Sequence, residues 1–263
     1  MYAFNYERPS QQADVVALGK AGGTYMAGGQ TLLASMKLRL ASPEQVIDLA
    51  GVKELTGIRK DGNALVIGAM TRHVDVVESA TVKSAIPALA ELAGLIGDRQ
   101  VRAMGTMGGS LANNDPAADY PAAVLGLGAT IQTTERQISA DDFFQGLFAT
   151  ALNDGELITS IRFPIPKRAG YVKFPQPASR FALIGVFVAQ TDGGVRVAVT
   201  GGGSGVFRQK AMEAALAGNF ASSAVVGVKT DEAEMSSDLH ASSAYRAHLV
   251  GVMAGRAVAK ALA

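Results

Sequence analysis

The sequence predicts an α+β protein made of three consecutive segments, and three observations indicate this arrangement. Short strand and helix patterns alternate through residues 1–55. Helical patterns with a few strands fill residues 56–167, and four prolines between residues 164 and 177 mark the boundary that follows. In residues 168–263, a strand hairpin is followed by helical patterns. We therefore expect three structural units with boundaries near these positions.

Hydrophobic periodicity predicts the elements of the first two segments. In the first segment, helix, strand, helix and strand are predicted in turn at residues 10–18, 24–27, 31–40 and 46–49. In the second segment, the predicted order is a strand at Ala64–Gly68, helices near residues 74–77 and 88–96, a glycine-rich loop, a helix from about Asp119, and strands near Thr130 and Ile158.

The third segment opens with two strands. Residues 182–190 and 195–200 are mostly aliphatic and flank Asp192-Gly193-Gly194, a pattern typical of an antiparallel hairpin. Helices are predicted at residues 207–217 and 242–262, with a weaker one near residues 221–228. The segment is therefore expected to form a small antiparallel sheet with helices.

Composition excludes several classes of site and partner. The chain has no cysteine, so it cannot hold a thiolate-ligated iron–sulfur cluster, a cysteine zinc site or a disulfide. A formal net charge of +1 gives no basic excess for nucleic acid. No apolar stretch reaches the roughly 20 residues that span a bilayer. The first residues lack a basic leader with an apolar core, so we expect a cytoplasmic protein whose redox chemistry, if any, uses an organic cofactor.

Two glycine pairs are candidates for phosphate binding. The first glycine loop, residues 27–31, joins a predicted strand to a predicted helix, and the second glycine segment, residues 105–110, adds hydroxyl side chains. Glycine lets backbone approach a ligand closely, and successive N–H groups can surround an anion. Either pair taken alone is also compatible with a tight turn that needs positive φ.

The usual nucleotide-binding motifs do not occur. No G-x-G-x-x-G follows the first strand and no G-x-x-x-x-G-K-[ST] occurs. The glycine run at residues 201–205 has neither spacing and is predicted to be a turn after the hairpin. His73 follows a predicted strand and is expected to cap a helix or face solvent.

Several short motifs, in order, carry a resemblance to a known family. They are Ala27-Gly28-Gly29-Gln30-Thr31-Leu32-Leu33, Val66-Ile67-Gly68-Ala69-Met70-Thr71, Gln100-Val101-Arg102, Thr106-Met107-Gly108-Gly109-Ser110-Leu111-Ala112-Asn113, Asp115-Pro116-Ala117-Ala118-Asp119, and Glu156-Leu157-Ile158-Thr159-Ser160-Ile161. This set resembles the medium subunits of the molybdenum hydroxylases, such as carbon monoxide dehydrogenase and xanthine dehydrogenase. The resemblance covers nearly the whole chain.

The resemblance implies a two-subdomain FAD-binding fold of the PCMH type, followed by a C-terminal α+β domain. It implies an FAD-carrying subunit that takes electrons from a small iron–sulfur subunit and passes them to an external acceptor. Hydroxylation would occur on a large subunit with a molybdenum cofactor, in a dimer of heterotrimers. The implied subunit needs no catalytic residue, metal ligand, membrane span or nucleic acid of its own.

The resemblance also assigns cofactor contacts. Both glycine pairs would hold the FAD diphosphate, Leu157 and Lys173 would lie near the flavin ring, and other positions would contact the nucleotide half. The full predicted set is Ala27, Gly28, Gly29, Gln30, Thr31, Leu32, Thr106, Gly108, Gly109, Ser110, Asn113, Asp119, Leu157 and Lys173. The chain departs from the family at Arg180, where an acidic residue is usual, and Phe181 could cover the flavin or belong to the core.

Two other functions are compatible with the residues. One is a self-contained FAD-dependent oxidoreductase, which would need an acid or base beside the flavin, and the sequence offers no convincing one. The other is a non-catalytic nucleotide-binding scaffold. Flavin absorbance in the purified chain separates the scaffold from both enzymes.

Overall fold

A computed structural model describes all residues 1–263 and contains three main sheets, a separate two-stranded hairpin and eleven α-helices. The first sheet is parallel, with strand order β1-β3-β2, and two helices connect its strands. The elements are β1 (Asn5–Glu7), α1 (Gln12–Lys20), β2 (Thr24–Met26), α2 (Leu32–Lys37) and β3 (Gln45–Asp48). Two short 3-10 helices, Leu49–Gly51 and Lys53–Leu55, lead into the next sheet.

The second sheet is antiparallel, with five strands in the order β4-β5-β10-β6-β7; six helices lie between β5 and β6, and one short helix follows β7. The elements are β4 (Ile58–Asp61), β5 (Ala64–Gly68), α3 (His73–Glu78), α4 (Ala80–Ala85), α5 (Pro87–Gly94), α6 (Arg99–Met104), α7 (Met107–Asn113), α8 (Tyr120–Leu127), β6 (Thr130–Thr133), β7 (Gln137–Ser139), α9 (Ala140–Phe143), β8 (Phe144–Gly146), β9 (Ala149–Thr150) and β10 (Ile158–Pro164). The pair β8–β9 forms a separate two-stranded hairpin.

The third sheet is antiparallel and has four strands, in the order β11-β12-β13-β14. The elements are β11 (Arg168–Pro175), β12 (Ala182–Thr191), β13 (Gly194–Thr200), β14 (Phe207–Arg208), α10 (Lys210–Gly218) and α11 (Ser243–Leu262), with 3-10 helices at Ser222–Val225 and Glu232–Glu234. None of the helices combines the length and apolar character needed to cross a membrane.

Helix α8 lies between the second and third sheets. Every one of its eight residues is buried, as expected for a helix that is apolar all round. Its cluster includes Phe187 and Ala198 from one face of the third sheet, whereas Val186 and Val199 on the other face pack with α10 and α11. Because successive strand residues point to opposite faces, β12 is buried on both sides.

Several predicted elements are confirmed. Strand β5 has the predicted bounds, Ala64–Gly68, and β12 pairs with β13 as the predicted hairpin. The last helix begins after Ser242, whose hydroxyl accepts a hydrogen bond from the Tyr245 N–H and caps it.

Other predicted elements are wrong in extent or type. The helix predicted at residues 31–40 ends at Lys37, because Arg39 adopts a left-handed conformation with φ of 61°. The helix predicted from residue 207 begins at Lys210, since Phe207 and Arg208 pair with β13 instead. The second glycine segment is not a loop throughout, because α7 starts within it.

One buried arginine joins the last helix to the third sheet. Arg246 donates hydrogen bonds to the carbonyl oxygens of Leu183 at 2.9 Å and Gly201 at 2.7 Å, and it pairs with Asp238 at 2.7 Å. Its side chain is almost entirely enclosed. The guanidinium therefore satisfies two carbonyls at the strand ends that would otherwise be buried without partners.

Arg246→Leu should lower the free energy of unfolding by roughly 2–4 kcal/mol, because both carbonyls and Asp238 lose their partner. Arg256→Leu changes an exposed arginine on the same helix and should cost less than about 0.5 kcal/mol. Urea unfolding measures both. Equal stability of the two variants would show that the Arg246 hydrogen bonds do not hold the helix in place.

Candidate cofactor-binding cleft

A cleft of about 630 Å³ lies where the three segments meet, within the size range of small-molecule sites. Its walls come from the first glycine loop, from residues 69–70 after β5 and the helices that follow, from residues 156–158, and from residues 179–181 of the third segment. No group of three or more His, Cys, Asp or Glu side chains is arranged to hold a metal ion.

The first glycine loop gives the cleft a row of free backbone donors. None of the N–H groups of residues 28–32 donates to an acceptor within the chain, and the first hydrogen bond of α2 runs from the Leu33 N–H to the Gly29 oxygen at 3.0 Å. Gly29 has a φ of 71°, a conformation that favours glycine. Five adjacent donors on a turned backbone form a concave surface suited to an anion.

In the second glycine segment, by contrast, the N–H groups of residues 107–110 already have acceptors within the chain. The N–H groups of Met107 and Gly108 donate to the carbonyls of Thr71 and Ala69, and that of Gly109 donates to the Thr106 hydroxyl at 3.2 Å. The Ser110 N–H is taken by the Thr106 oxygen as α7 begins. The expectation that this segment also offers free amide donors is therefore wrong, since Thr106 caps a helix and turns the amides inward.

Close packing explains the glycines of the second segment. A Cβ on Gly108 would lie 2.6 Å from the Ala69 Cβ, and one on Gly109 would lie 3.1 Å from the Ala27 Cβ. The first loop packs equally closely against the residue that precedes this segment, because a Cβ on Gly28 would lie 2.1 Å from the Met104 oxygen. The first glycine loop is therefore in direct contact with residues 104–109.

All the residues predicted to contact FAD, except Lys173, line the cleft. Gln30 and Thr31 are exposed at its edge, whereas Leu157 is buried and packs with the core of the first sheet. Ser110 and Asn113 lie on the half-buried side of α7. The structure therefore brings the two halves of the predicted site together from positions about 80 residues apart in the chain.

Lys173 lies behind the wall of the cleft rather than in it. Its ammonium group donates to Asp119 Oδ2 at 2.9 Å and to the Leu95 oxygen at 2.8 Å. Tyr171 donates to the other oxygen of Asp119. Burial raises the pKa of the Asp119 carboxyl, and the Lys173 charge and the two hydrogen bonds oppose that rise.

Glu156, a second carboxylate at the cleft, is also fully engaged. It accepts hydrogen bonds from Thr133 at 2.6 Å and from the Asn153 N–H at 2.8 Å, and it pairs with Arg136 at 3.1 Å. Burial alone would raise the pKa of Glu156, but the hydrogen bonds from Arg136, Asn153 and Thr133 leave it lowered. Glu156 is therefore an anion, and its contacts tie residues 153–156 to Thr133 and Arg136.

Arg180 and Phe181 form the wall contributed by the third segment. Arg180 is the single Lys or Arg that lines the cleft, and it has a left-handed φ of 63°. Phe181 is 46% exposed, so it belongs to the cleft wall and not to the core.

His73 is the main residue that the sequence analysis misplaced. Its side chain neither caps a helix nor faces solvent, because the residue is only 5% exposed. The centroids of the His73 and Tyr120 rings are 5.2 Å apart, in an edge-to-face arrangement. Burial, helped by the charge of Arg102, lowers the pKa of His73 to about 4. No local signal could have revealed this, because Tyr120 and Gly105, which enclose the ring, are remote in sequence.

A cleft of this size with adjacent free amide donors and a mixed apolar and polar lining defines a protein that binds an anionic organic cofactor. Residues 2–166 match the family described as the FAD binding domain in molybdopterin dehydrogenase. The chain therefore belongs to this family, as an FAD-binding medium subunit of the molybdenum hydroxylases. Its cofactor is FAD, and it is a subunit of an oxidoreductase.

Individual relatives agree with this family. The chain is 35% identical to the carbon monoxide dehydrogenase medium chain of Afipia carboxidovorans, over 99% of this chain and 97% of that protein. It is 38% identical to the glyceraldehyde dehydrogenase medium chain of Sulfolobus acidocaldarius, over 71% of this chain and 69% of that one. Reconstituted carbon monoxide dehydrogenase from Oligotropha carboxidovorans superposes with a TM-score of 0.91 at 34% identity, over 99% and 98% of the two chains.

The flavin-free chain should lose stability in acid because of His73. The unfolded residue binds a proton below its ordinary pKa of 6.5, whereas the folded residue, with a pKa of about 4, does not. The loss therefore builds between these two values as pH falls, to roughly 3 kcal/mol. Urea unfolding across this range measures it.

His73→Leu should remove that part of the acid slope. His248→Leu makes the same change at an exposed position of α11 and should leave the slope intact. If both variants lose stability in acid as steeply as the wild type, His73 is not a buried neutral group.

Proposed function

We propose that this chain is the flavin relay of a molybdenum hydroxylase complex. It takes electrons from the iron–sulfur clusters of a small subunit and passes them to an external acceptor such as a quinone or a nicotinamide cofactor, while a large subunit hydroxylates the substrate. The full-length match to medium chains of dehydrogenase complexes carries this proposal. The carboxylates of the cleft support it over a self-contained oxidoreductase: Asp119 and Glu156 are paired with Lys173 and Arg136, and Asp115 accepts a hydrogen bond from the Ala117 N–H at 2.9 Å.

FAD supplies the electron-carrying chemistry when bound, and the chain supplies position and electrostatics. We propose that the free N–H groups of residues 28–32 bind the diphosphate. The side chains of Ser110 and Asn113 would contact it from α7, and Leu157 would provide an apolar surface near the ring. Lys173 would act through Asp119, which it orients. Ala27, Thr106, Gly108 and Gly109 would complete the cradle by setting the spacing of the two glycine pairs.

We further propose that residues 1–55, 56–167 and 168–263 are the structural units of the chain, and that the complex is a dimer of heterotrimers. Separate buried clusters around the first sheet and around the C-terminal helices support the division. Leu157, from the second unit, belongs to the cluster of the first, so the first two units would be closely joined. The resemblance supports the assembly.

Gly28→Ala should weaken FAD binding by about tenfold or more, because its Cβ would meet the Met104 oxygen and push the donor loop away from the end of α6. Gly251→Ala is the matched control: its Cβ meets nothing within 4 Å, and an alanine inside α11 should stabilise the chain by roughly 0.8–1 kcal/mol. Flavin absorbance per chain after gel filtration measures retention. Full flavin occupancy in Gly28→Ala would contradict the proposed cradle.

The relay is tested in the complex of this chain with its small and large subunits. Under anaerobic conditions, carbon monoxide, glyceraldehyde and xanthine are offered in turn as substrates. A complex with the Gly28→Ala chain should still reduce its iron–sulfur clusters, but turnover with a quinone or nicotinamide acceptor should fall about tenfold or more. Substrate oxidation by the isolated FAD-loaded chain would instead favour the self-contained enzyme.

A further inference from the structure

Among the buried polar side chains that line the cleft, only that of His73 has a buried atom without a hydrogen-bond partner. His73 lines the cleft although its side chain is almost wholly enclosed. Its Nδ1 atom is buried and has no hydrogen-bond partner. Buried polar atoms without partners are rare in folded proteins, so such an atom in a cofactor cleft calls for an explanation.

The surroundings of the imidazole determine which nitrogen carries the proton. Burial and the nearby charge of Arg102 keep the ring neutral, so it has a single N–H. A proton on Nδ1 would be an enclosed donor without an acceptor, which is rarer in proteins than an unsatisfied acceptor. The proton therefore belongs on Nε2, the nitrogen that is not fully enclosed.

Nε2 lies against Gly105, the first residue of the second glycine segment. A Cβ on Gly105 would be 2.5 Å from Nε2, so any other residue at position 105 would place its side chain against this nitrogen. On its other side, Gly105 contacts the first glycine loop, because a Cβ on Gly28 would lie 2.8 Å from the Gly105 Cα. Gly105 is thus a neighbour both of the His73 Nε2 atom and of the first glycine loop, whose residues 28–32 carry the free amides.

We propose that His73 is a further cofactor-binding residue, whose Nε2–H donates a hydrogen bond to a diphosphate oxygen of FAD. The inference rests on the proposed placement of FAD in this cleft. A neutral imidazole suits the position, because it adds a directed donor to the backbone amides without adding a titrating charge. Tyr120 fixes the ring by its edge contact, so the donor is held in position before the cofactor arrives.

His73→Leu should raise the dissociation constant of FAD about tenfold, the effect of one hydrogen bond to a charged group. The stability of the flavin-free variant at neutral pH should not fall, because leucine also removes the orphaned Nδ1. His248→Leu, at an exposed position, should leave the dissociation constant unchanged within about twofold. Titration of the stripped chain with FAD, followed by flavin fluorescence, measures the dissociation constants, and urea unfolding of the flavin-free variant measures its stability.

Nitrogen NMR of the wild-type chain gives a second readout that needs no variant. The chain has only three histidines, and His240 and His248 are exposed, so they serve as internal references. On addition of FAD, the His73 Nε2–H signal should shift as a hydrogen-bond donor while the other two stay in place. A purely structural histidine would show no change at Nε2.

The outcomes separate this inference from the placement of FAD. If Gly28→Ala loses flavin while His73→Leu binds FAD like the wild type, or while the Nε2 signal does not move, the role of His73 is refuted and the cleft stands. If Gly28→Ala and His73→Leu both keep FAD at full affinity, the placement of FAD in this cleft is wrong. If His73→Leu does not fold, the NMR result decides.

Discussion

The cleft depends on a backbone contact between two distant parts of the chain. Gly28 lies against the Met104 oxygen, and Gly109 lies against Ala27, so a side chain at either glycine would separate the first loop from the second segment. Glycine is required here for approach, because these two residues do not have positive φ. The amides of the first loop have no acceptor within the chain, whereas those of residues 107–110 are already taken, and the contact fixes the free donors before any ligand binds.

A single buried ion pair extends this arrangement into the third sheet. Asp119 lines the cleft and precedes α8, whereas Lys173 comes from β11, and their charged groups are 2.9 Å apart with both side chains enclosed. Removing one partner of such a pair leaves an uncompensated buried charge, which costs roughly 3–5 kcal/mol. The matched family region ends at residue 166, yet Arg180 and Phe181 beyond it line the cleft, and Lys173 supports the wall from behind through Asp119.

Local sequence was sufficient where local interactions decide the structure. Ala64–Gly68 was predicted to the residue because it is a continuous apolar run between turns, and Ser242 marks the last helix by its cap. Helix α7 was missed because adjacent glycines have low helix propensity, which the Thr106 cap and contacts with Ala69 overcome. The burial of His73 could not be predicted, since its enclosure is a property of the assembled fold.

The relatives differ widely in the compounds for which they are named, from carbon monoxide and glyceraldehyde to nicotine and caffeine. A site that discriminated a gas from a purine would have to differ in size and polarity between such proteins. The cleft of this chain is instead shaped by features suited to one cofactor, namely free amides, a glycine contact and carboxylates already held by internal partners. Under the proposed division of labour, substrate choice belongs to another subunit, and the physical demand on this chain is to hold FAD in one geometry whatever the source of the electrons.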